Sequence, residues 1–536
     1  MHVHRALAQA LHDNDVRHLF GVLGDANLHI VHAFAELSGA EYIGMPTEGG
    51  AVVAALGYAQ VSGKLGVATV THGPGLTNTV TALVEAERAR SPLLLVAGDT
   101  PVSKHDHIQA IEQREVALAA GARFVQVRSA ASAVADLAAA IRLTVRERLP
   151  VVVNVPVDLQ WDEIDYVPLV VESTATVAPA PADSAVEDAV GVVASARRPV
   201  LLAGRGVATS GAAPQILALA SRIGAPVATT LRGKDLFAGE PHDLGIFGSL
   251  SDDVANDLIL QADCVVAFGC GLNAWTAGEG ALLTGKAVVH VDADPSRLNR
   301  FSPATVVVWG DAAATAEALI ALLDEAEVPP TGFVAEAVAK LAAGRRPGPV
   351  LADRGTDSSV DIRTALRRVD EVVPADRVVV TDNGRFILSA FTALHVEHPR
   401  LYAHAVNFGA IGLGMSTAIG ASYAEPDRPV LVAIGDGGFA LGGLSDLVNA
   451  VTLGRRIIVL LLNDGAYGAE YVQLRNRQLD ADISLLPWPD FGPIARAIGA
   501  QGATVRNAKE LDAALGELDF TAGPVLLDVR LDPEHV

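Results

Sequence analysis

A chain of 536 residues is too long for a single hydrophobic core, and its length fits about three domains. Its net charge of −22 excludes the basic surface that binding to phosphate backbones requires, so nucleic acid is not an expected partner. Half of the residues are apolar, but charges interrupt every apolar stretch before it reaches bilayer length, which excludes a membrane span. The first twenty residues show no basic region followed by an apolar run, so no secretion signal is expected. Two cysteines, Cys264 and Cys270, offer neither a disulfide framework nor a thiolate metal cluster, and a reducing cytoplasm fits best.

Along the chain, short β-branched runs alternate with glycine turns and Ala/Leu-rich stretches at helical spacing. In order, strands are expected at 18–22, 93–97, 151–155, 200–203, 264–268, 288–291, 378–381, 430–434 and 457–462. Continuous apolar runs of this kind mark parallel strands buried on both faces. Their alternation with helices predicts doubly wound α/β domains. Residues 172–183 (ESTATVAPAPAD) and 344–359 (GRRPGPVLADRGTDSS) lack periodicity and read as linkers. They divide the chain into 1–170, 184–340 and 356–536, each the size of one domain.

The strongest local signal is Gly435-Asp436-Gly437-Gly438 after the strand at 430–434, answered by Asn463 after the strand at 457–462. The 25 residues between Gly437 and Asn463 leave room for one helix, at 441–453, and the next strand. Two loops at the carboxyl ends of neighbouring strands then converge on one ligand, as open α/β sheets favour. Asp436 and the Asn463 side-chain oxygen are hard ligands suited to a small divalent cation that bridges a diphosphate. Glycines 435, 437 and 438 let backbone N–H groups approach phosphate oxygens, and the following helix adds its positive end. An acidic turn flanked by glycines is common by itself; the paired asparagine after a second apolar strand gives the pattern its weight.

This pattern resembles the thiamine-diphosphate motif, and the resemblance extends over the whole chain. It implies three α/β doubly wound parallel-sheet domains: N-terminal pyrimidine-binding, central Rossmann-like and C-terminal diphosphate-binding. Glu48, in Pro46-Thr47-Glu48-Gly49-Gly50, looks like the glutamate that faces the aminopyrimidine ring. A carboxylate on that ring nitrogen favours the imino tautomer, which then removes the thiazolium proton. Thr71-His72-Gly73-Pro74-Gly75-Leu76-Thr77-Asn78 is similar to the TSGPGATN loop of the acetohydroxyacid synthase branch, with His72 in place of the serine. Phe408-Gly409-Ala410-Ile411-Gly412 is similar to the segment whose large apolar residue bends the cofactor, which makes Ile411 the wedge. The resemblance further implies Mg²⁺ held by Asp436, Asn463 and the Gly465 main-chain oxygen, with Ala466 and Tyr467 beside the cofactor and Gly384 on the diphosphate. Arg385 and Phe386 depart from the polar residues that relatives carry there. The central domain includes Gly204-Arg205-Gly206, a short phosphate-cradle pattern, and in some relatives this domain holds FAD or an ADP group.

Three further elements bear on the reaction. Gly24-Asp25-Ala26-Asn27-Leu28 resembles the GDxNL element of pyruvate and indolepyruvate decarboxylases, in which the aspartate is catalytic. Lys104-His105-Asp106-His107 stands where those decarboxylases carry a histidine pair, here split by Asp106, so either His105 or His107 reaches the site. Glu470, three residues after Tyr467, resembles the glutamate of their GYTxE. Each also has a plain reading, as a turn residue, solvated histidines and a helix cap. Together they form an acid–histidine–acid set able to protonate an enamine and release an aldehyde. No tryptophan stands near Gln473, where acetohydroxyacid synthases carry one. The expected function is therefore non-oxidative decarboxylation of a small-molecule 2-oxo acid, with carboligation on the same intermediate. The alternatives are an acetolactate synthase-like condensing enzyme, a 2-hydroxyacyl-CoA lyase (against which the end at Val536, leaving no lid, counts), and an inactive cofactor-binding relative. Because Glu48 and the GDG…N motif lie in different domains, which meet across subunits in the family, a homodimer or homotetramer is implied.

Overall fold

The computed structural model describes residues 1–104, 106–172, 179–344 and 353–536. His105 lies outside the described residues, as do parts of both predicted linkers. Three six-stranded sheets follow one another along the chain, and every described strand pairing is parallel.

The first sheet contains β1 (His18–Gly21), β2 (Glu41–Gly44), β3 (Gly66–Val70), β4 (Leu93–Asp99), β5 (Arg123–Gln126) and β6 (Pro150–Pro156), in the order β2-β1-β3-β4-β6-β5. The second contains β7 (Pro199–Ala203), β8 (Val227–Thr229), β9 (Asp243–Ile246), β10 (Cys264–Phe268), β11 (Ala287–Asp292) and β12 (Val306–Trp309), ordered β12-β11-β10-β7-β8-β9. The third contains β13 (Val378–Thr381), β14 (Tyr402–His404), β15 (Val430–Gly435), β16 (Ile457–Asn463), β17 (Gln501–Val505) and β18 (Val525–Arg530), ordered β14-β13-β15-β16-β18-β17. Two compact units result: the first and third sheets share one, and the second sheet forms the other together with His395–Tyr402.

The apolar runs legible in the sequence are central strands. β6 and β16, for example, are buried at every residue. Most strands without such a run are edge strands, half exposed and therefore mixed in composition, as β2, β5 and β9 show, whereas the edge strand β12 is apolar although partly exposed. In the first sheet the strand order reverses between β1 and β3; in the third it reverses between β13 and β15. Such switch points open a crevice at the carboxyl ends of the strands, where ligands bind in open α/β sheets.

The two sheets of the first unit are joined by helices α1 (Glu48–Ser62) and α3 (Gly414–Ala424), with α2 (Val80–Ala89) beside them. Both α1 and α3 are apolar on all sides and almost wholly buried, as helices enclosed by sheets must be. They touch backbone to backbone: a Cβ at Gly420 would stand 1.8 Å from the Ala54 carbonyl oxygen.

Against this seam packs Asp446 of helix α4 (Leu444–Thr452), whose carboxyl accepts the Ser416 hydroxyl. Burial pushes it up to about 6, and the Ser416 bond opposes this only in part. The neutral form's stability contribution is whole below the ordinary value of 3.8 and is lost as pH rises toward about 6. The stability difference between Asp446→Asn and the natural chain, whatever its size at pH 4, should therefore move in the variant's favour by roughly 2–3 kcal/mol by pH 7. Urea unfolding of the cofactor-free protein at the two pH values measures it, and a pH-independent difference would contradict it.

Candidate active site

The switch point of the third sheet gathers the glycine-rich loop. The chain passes from β15 directly into helix at Asp436–Gly438 and widens into a π-turn at Phe439–Gly443 before α4. Helix thus begins at Asp436 rather than at the expected 441, which puts the Gly437 and Gly438 N–H groups in a first turn where they lack intrahelical partners. A side chain at Gly437 would place its Cβ 2.9 Å from the Tyr467 ring and 3.8 Å from Ile411 Cδ1, so these two flank the loop. At Gly438 a Cβ would stand 2.6 Å from Asp382 Oδ2.

Asp436 is buried, and its Oδ2 has no hydrogen-bond partner. Burial, followed by the charge of neighbouring Asp464, raises its carboxyl well above the ordinary carboxylate range; burial likewise raises Asp464, against the Ala466 N–H bond and the pull of Arg385. Two crowded carboxyls, one with an orphaned oxygen, form a site that a cation relieves. Asn463 ends β16 rather than following it. Its Nδ2 donates to Asp528 at 2.9 Å and its Oδ1 accepts the Gly465 N–H at 3.2 Å, which turns the amide oxygen toward the loop. The Gly465 carbonyl accepts the Leu486 N–H at 2.6 Å, leaving one lone pair for another ligand. Among the described residues, no group of three or more His, Cys, Asp or Glu side chains is arranged to hold a metal.

Asp382, at the end of β13, is fully buried and accepts the N–H groups of Gly412, Leu413 and Gly414 at 2.8, 3.2 and 3.2 Å. It ties the Ile411 segment to the glycine loop, although burial still pushes it up to about 7 against those bonds. Gly384 lies two residues on, beside the Phe386 ring, and Arg385 donates to the Pro533 carbonyl. Tyr467 leads into α5 (Gly468–Asn476), and Glu470 stands exposed in its first turn. Glu470, Gln473, Leu474 and Ile483 line a largely apolar cavity of about 390 Å³ that opens beside Tyr467.

The switch point of the first sheet gathers a second set. Asp25 follows β1 and His72 follows β3, and the Thr71 hydroxyl donates to Asp25 Oδ1 at 3.1 Å. His72 is 1% exposed, its Nε2 lies 3.7 Å from Asp25 Oδ1, and its ring stands 5.0 Å from that of His107. A buried relay secures this loop: Gly73 N–H donates to Gln113, whose amide donates in turn to the Gly98 carbonyl and to Asn154. Gly73 itself has φ +58° and packs on the Gln109 carbonyl, so no side chain fits there. Glu48 opens α1 behind the Thr47 cap, and its Oε2 accepts the Asn78 amide at 3.0 Å.

Asp25, His72 and His107 are thus brought together. Within one chain, Glu48 and this cluster share no described hydrogen bond or ion pair with Asp436, Asn463 or Glu470, which ride on the other sheet of the unit. Gly204 and Gly206 have a packing role, because a Cβ at either would stand within 2.7 Å of Gly269. Sequence reasoning missed Asp382, Asp464, Asp528 and Asn78. Asp464, inside Asn463-Asp464-Gly465, and Asn78, which closes the Thr71–Asn78 loop, carried local signals; Asp382 and Asp528 act through contacts distant in sequence.

One unit thus carries two switch-point crevices, one with crowded carboxyls beside a glycine-rich loop and one with an acid beside two imidazoles. Three family descriptions match the chain in order: the thiamine pyrophosphate enzyme N-terminal TPP binding domain over residues 1–120, its central domain over 186–319, and its C-terminal TPP binding domain over 382–529. A probable 2-ketoarginine decarboxylase of Pseudomonas aeruginosa is 30% identical, covering 97% of this chain and 91% of its own. The acetolactate synthase isozyme 2 large subunit of Escherichia coli is 28% identical over 98% and 95%, and a sulfoacetaldehyde acetyltransferase of Castellaniella defragrans 28% over 95% and 89%. The chain belongs to the thiamine pyrophosphate enzyme family, in its acetolactate synthase-like branch. No helix among the described residues is long and apolar enough to cross a membrane.

Proposed function

We propose that the chain is a Mg²⁺- and thiamine-diphosphate-dependent enzyme that decarboxylates a 2-oxo acid non-oxidatively and passes the product to an aldehyde or acyloin. The observation that carries this reading is the Asp25–His72–His107 cluster, from the segments that follow β1, β3 and β4. An acid and two imidazoles in one crevice are equipped to deliver a proton to a carbanion, and a condensing enzyme has less use for them.

The residues fit the cofactor on their own evidence: the orphaned Asp436 oxygen, the oriented Asn463 amide and a glycine cradle that any side chain would fill. Asp436, Asn463 and the free lone pair of the Gly465 carbonyl would hold Mg²⁺. The N–H groups of Gly437 and Gly438, with Gly384 and Gly435, would take the diphosphate, and Ile411, Ala466 and Tyr467 would flank the rings. When bound, thiamine diphosphate supplies the carbon nucleophile and electron sink that 2-oxo acid decarboxylation requires. Glu48 holds a proton at the aminopyrimidine, Asp25 and the histidines move protons at the substrate carbon, and Glu470 faces the substrate carboxylate. The cavity beside Glu470 and Gln473 receives the substrate side chain.

Both crevices are rimmed by exposed apolar side chains, Leu441 (70%) and Ile483 (83%) on one sheet and Leu23 (49%) and Ile108 (96%) on the other. A second copy that covers them and brings Glu48 against the partner's cradle makes a homodimer the smallest active assembly, with a homotetramer as a larger form.

The test is CO₂ release and product analysis with Mg²⁺, thiamine diphosphate and a panel of 2-oxo acids, in the natural chain and in Asp25→Asn. Aldehyde or acyloin from one acid, falling roughly 100-fold or more in the variant, is the expected result. Acetolactate-type condensation unaffected by Asp25→Asn would favour the synthase reading instead.

A further inference from the structure

Helix α2 carries a glutamate that the proposed mechanism does not use. Glu85 is completely buried, and its described hydrogen bonds all reach a segment more than 300 residues away. Its Oε1 accepts the Asn407 backbone N–H at 3.1 Å and the Asn407 amide at 2.6 Å, and its Oε2 accepts the Phe408 N–H at 2.7 Å. Three residues along the same helix face, the Arg88 guanidinium lies 4.7 Å over the Phe408 ring and donates to the Asn407 carbonyl at 3.5 Å.

Burying a carboxyl group is costly unless several donors meet it, and an apolar residue would pack a helix with less risk. What these contacts do is fix a loop. Residues 407–412 form no helix or strand, and Gly409 within them has φ +86°. Asn383 donates to the Gly409 carbonyl at 2.7 Å, and Asp382 accepts the Gly412 N–H at 2.8 Å. The segment is therefore held at both ends, by Glu85 and Arg88 before it and by Asp382 after it. Between them stands Ile411, against the glycine loop.

We infer that Glu85 and Arg88 are positioning residues that set the Ile411 segment for cofactor binding from the opposite sheet of the unit. The inference rests on the proposed thiamine-diphosphate reading, because Ile411 matters only if a cofactor lies against it. Without the Glu85 clamp the loop samples other arrangements, and binding must first order it.

The experiment compares the natural chain with Glu85→Ala and Arg88→Ala. One readout is hydrogen–deuterium exchange of the peptide spanning 405–412 in the cofactor-free protein; the other is the half-saturating concentration of thiamine diphosphate at fixed Mg²⁺, followed by intrinsic fluorescence. Glu85→Ala should speed exchange of the Asn407 and Phe408 amides at least tenfold and raise half-saturation about tenfold, while rates in the central domain stay unchanged. Arg88→Ala should move both in the same direction by about threefold, and it decides the matter if Glu85→Ala does not fold. Unchanged exchange and unchanged half-saturation in a folded variant would overturn the inference. If the natural chain itself shows no thiamine-diphosphate binding, the functional reading fails, and faster loop exchange in the variants then reports packing alone.

Discussion

Glu48→Gln should leave thiamine diphosphate bound and lower turnover by roughly 100-fold or more, the range that a positioned acid–base group supplies. The substitution is gentle to the fold. Thr47, not Glu48, caps α1, and a glutamine oxygen still accepts the Asn78 amide. What it removes is the ability to hold and release a proton at the cofactor ring. Turnover and cofactor half-saturation measured on the same preparation separate the two effects. Loss of binding with normal turnover at saturation would make Glu48 an anchor instead, and full activity would remove it from the mechanism.

Asp436→Ala should abolish the thermal stabilisation that Mg²⁺ and thiamine diphosphate together confer. For a ligand at a hundred times its dissociation constant that stabilisation is about 2.7 kcal/mol. The same variant should not destabilise the cofactor-free protein at neutral pH. Burial and the neighbouring Asp464 oppose the ionisation of Asp436 and raise its carboxyl, so its cost is absent below the ordinary carboxylate value of 3.8 and grows as pH rises above it. The cofactor-free variant therefore gains on the natural chain as pH rises above that value. Thermal unfolding with and without Mg²⁺ and cofactor, at pH 5 and pH 7.5, tests both statements. Undiminished stabilisation in the variant would place the cation elsewhere.

The central strands and the glycine loop were legible because their signals are local. The apolar run at 457–462 and the tetrad Gly435–Gly438 declare themselves within a few residues, and their spacing implied two loops on one crevice. Edge strands such as β5 carry no such run, since one face meets solvent. The helix start was misjudged by five residues because glycines are poor helix formers, and here tertiary packing against Gly412 and Asp382 overrides their propensity. The supporting residues were invisible for a different reason. Asp528 orients Asn463 from 65 positions away, Asp382 holds Gly412 from 30, and Glu85 reaches Asn407 from 322. Buried carboxyls that bind backbone N–H groups leave no periodic mark, and a single sequence does not show which acids are inside. The juxtaposition of His72 with Asp25 and His107 likewise needed the fold, because the three residues come from separate loops.

The central claim is that this chain binds thiamine diphosphate and activates it through Glu48. It is tested most directly by the rate at which the thiazolium C2 proton of the bound cofactor exchanges with deuterated water, followed by NMR after acid quench. This readout needs no knowledge of the substrate. The account predicts exchange faster than for the free cofactor by at least about 100-fold in the natural chain, returning to the free rate in Glu48→Gln. Bound cofactor exchanging no faster than free cofactor would contradict it.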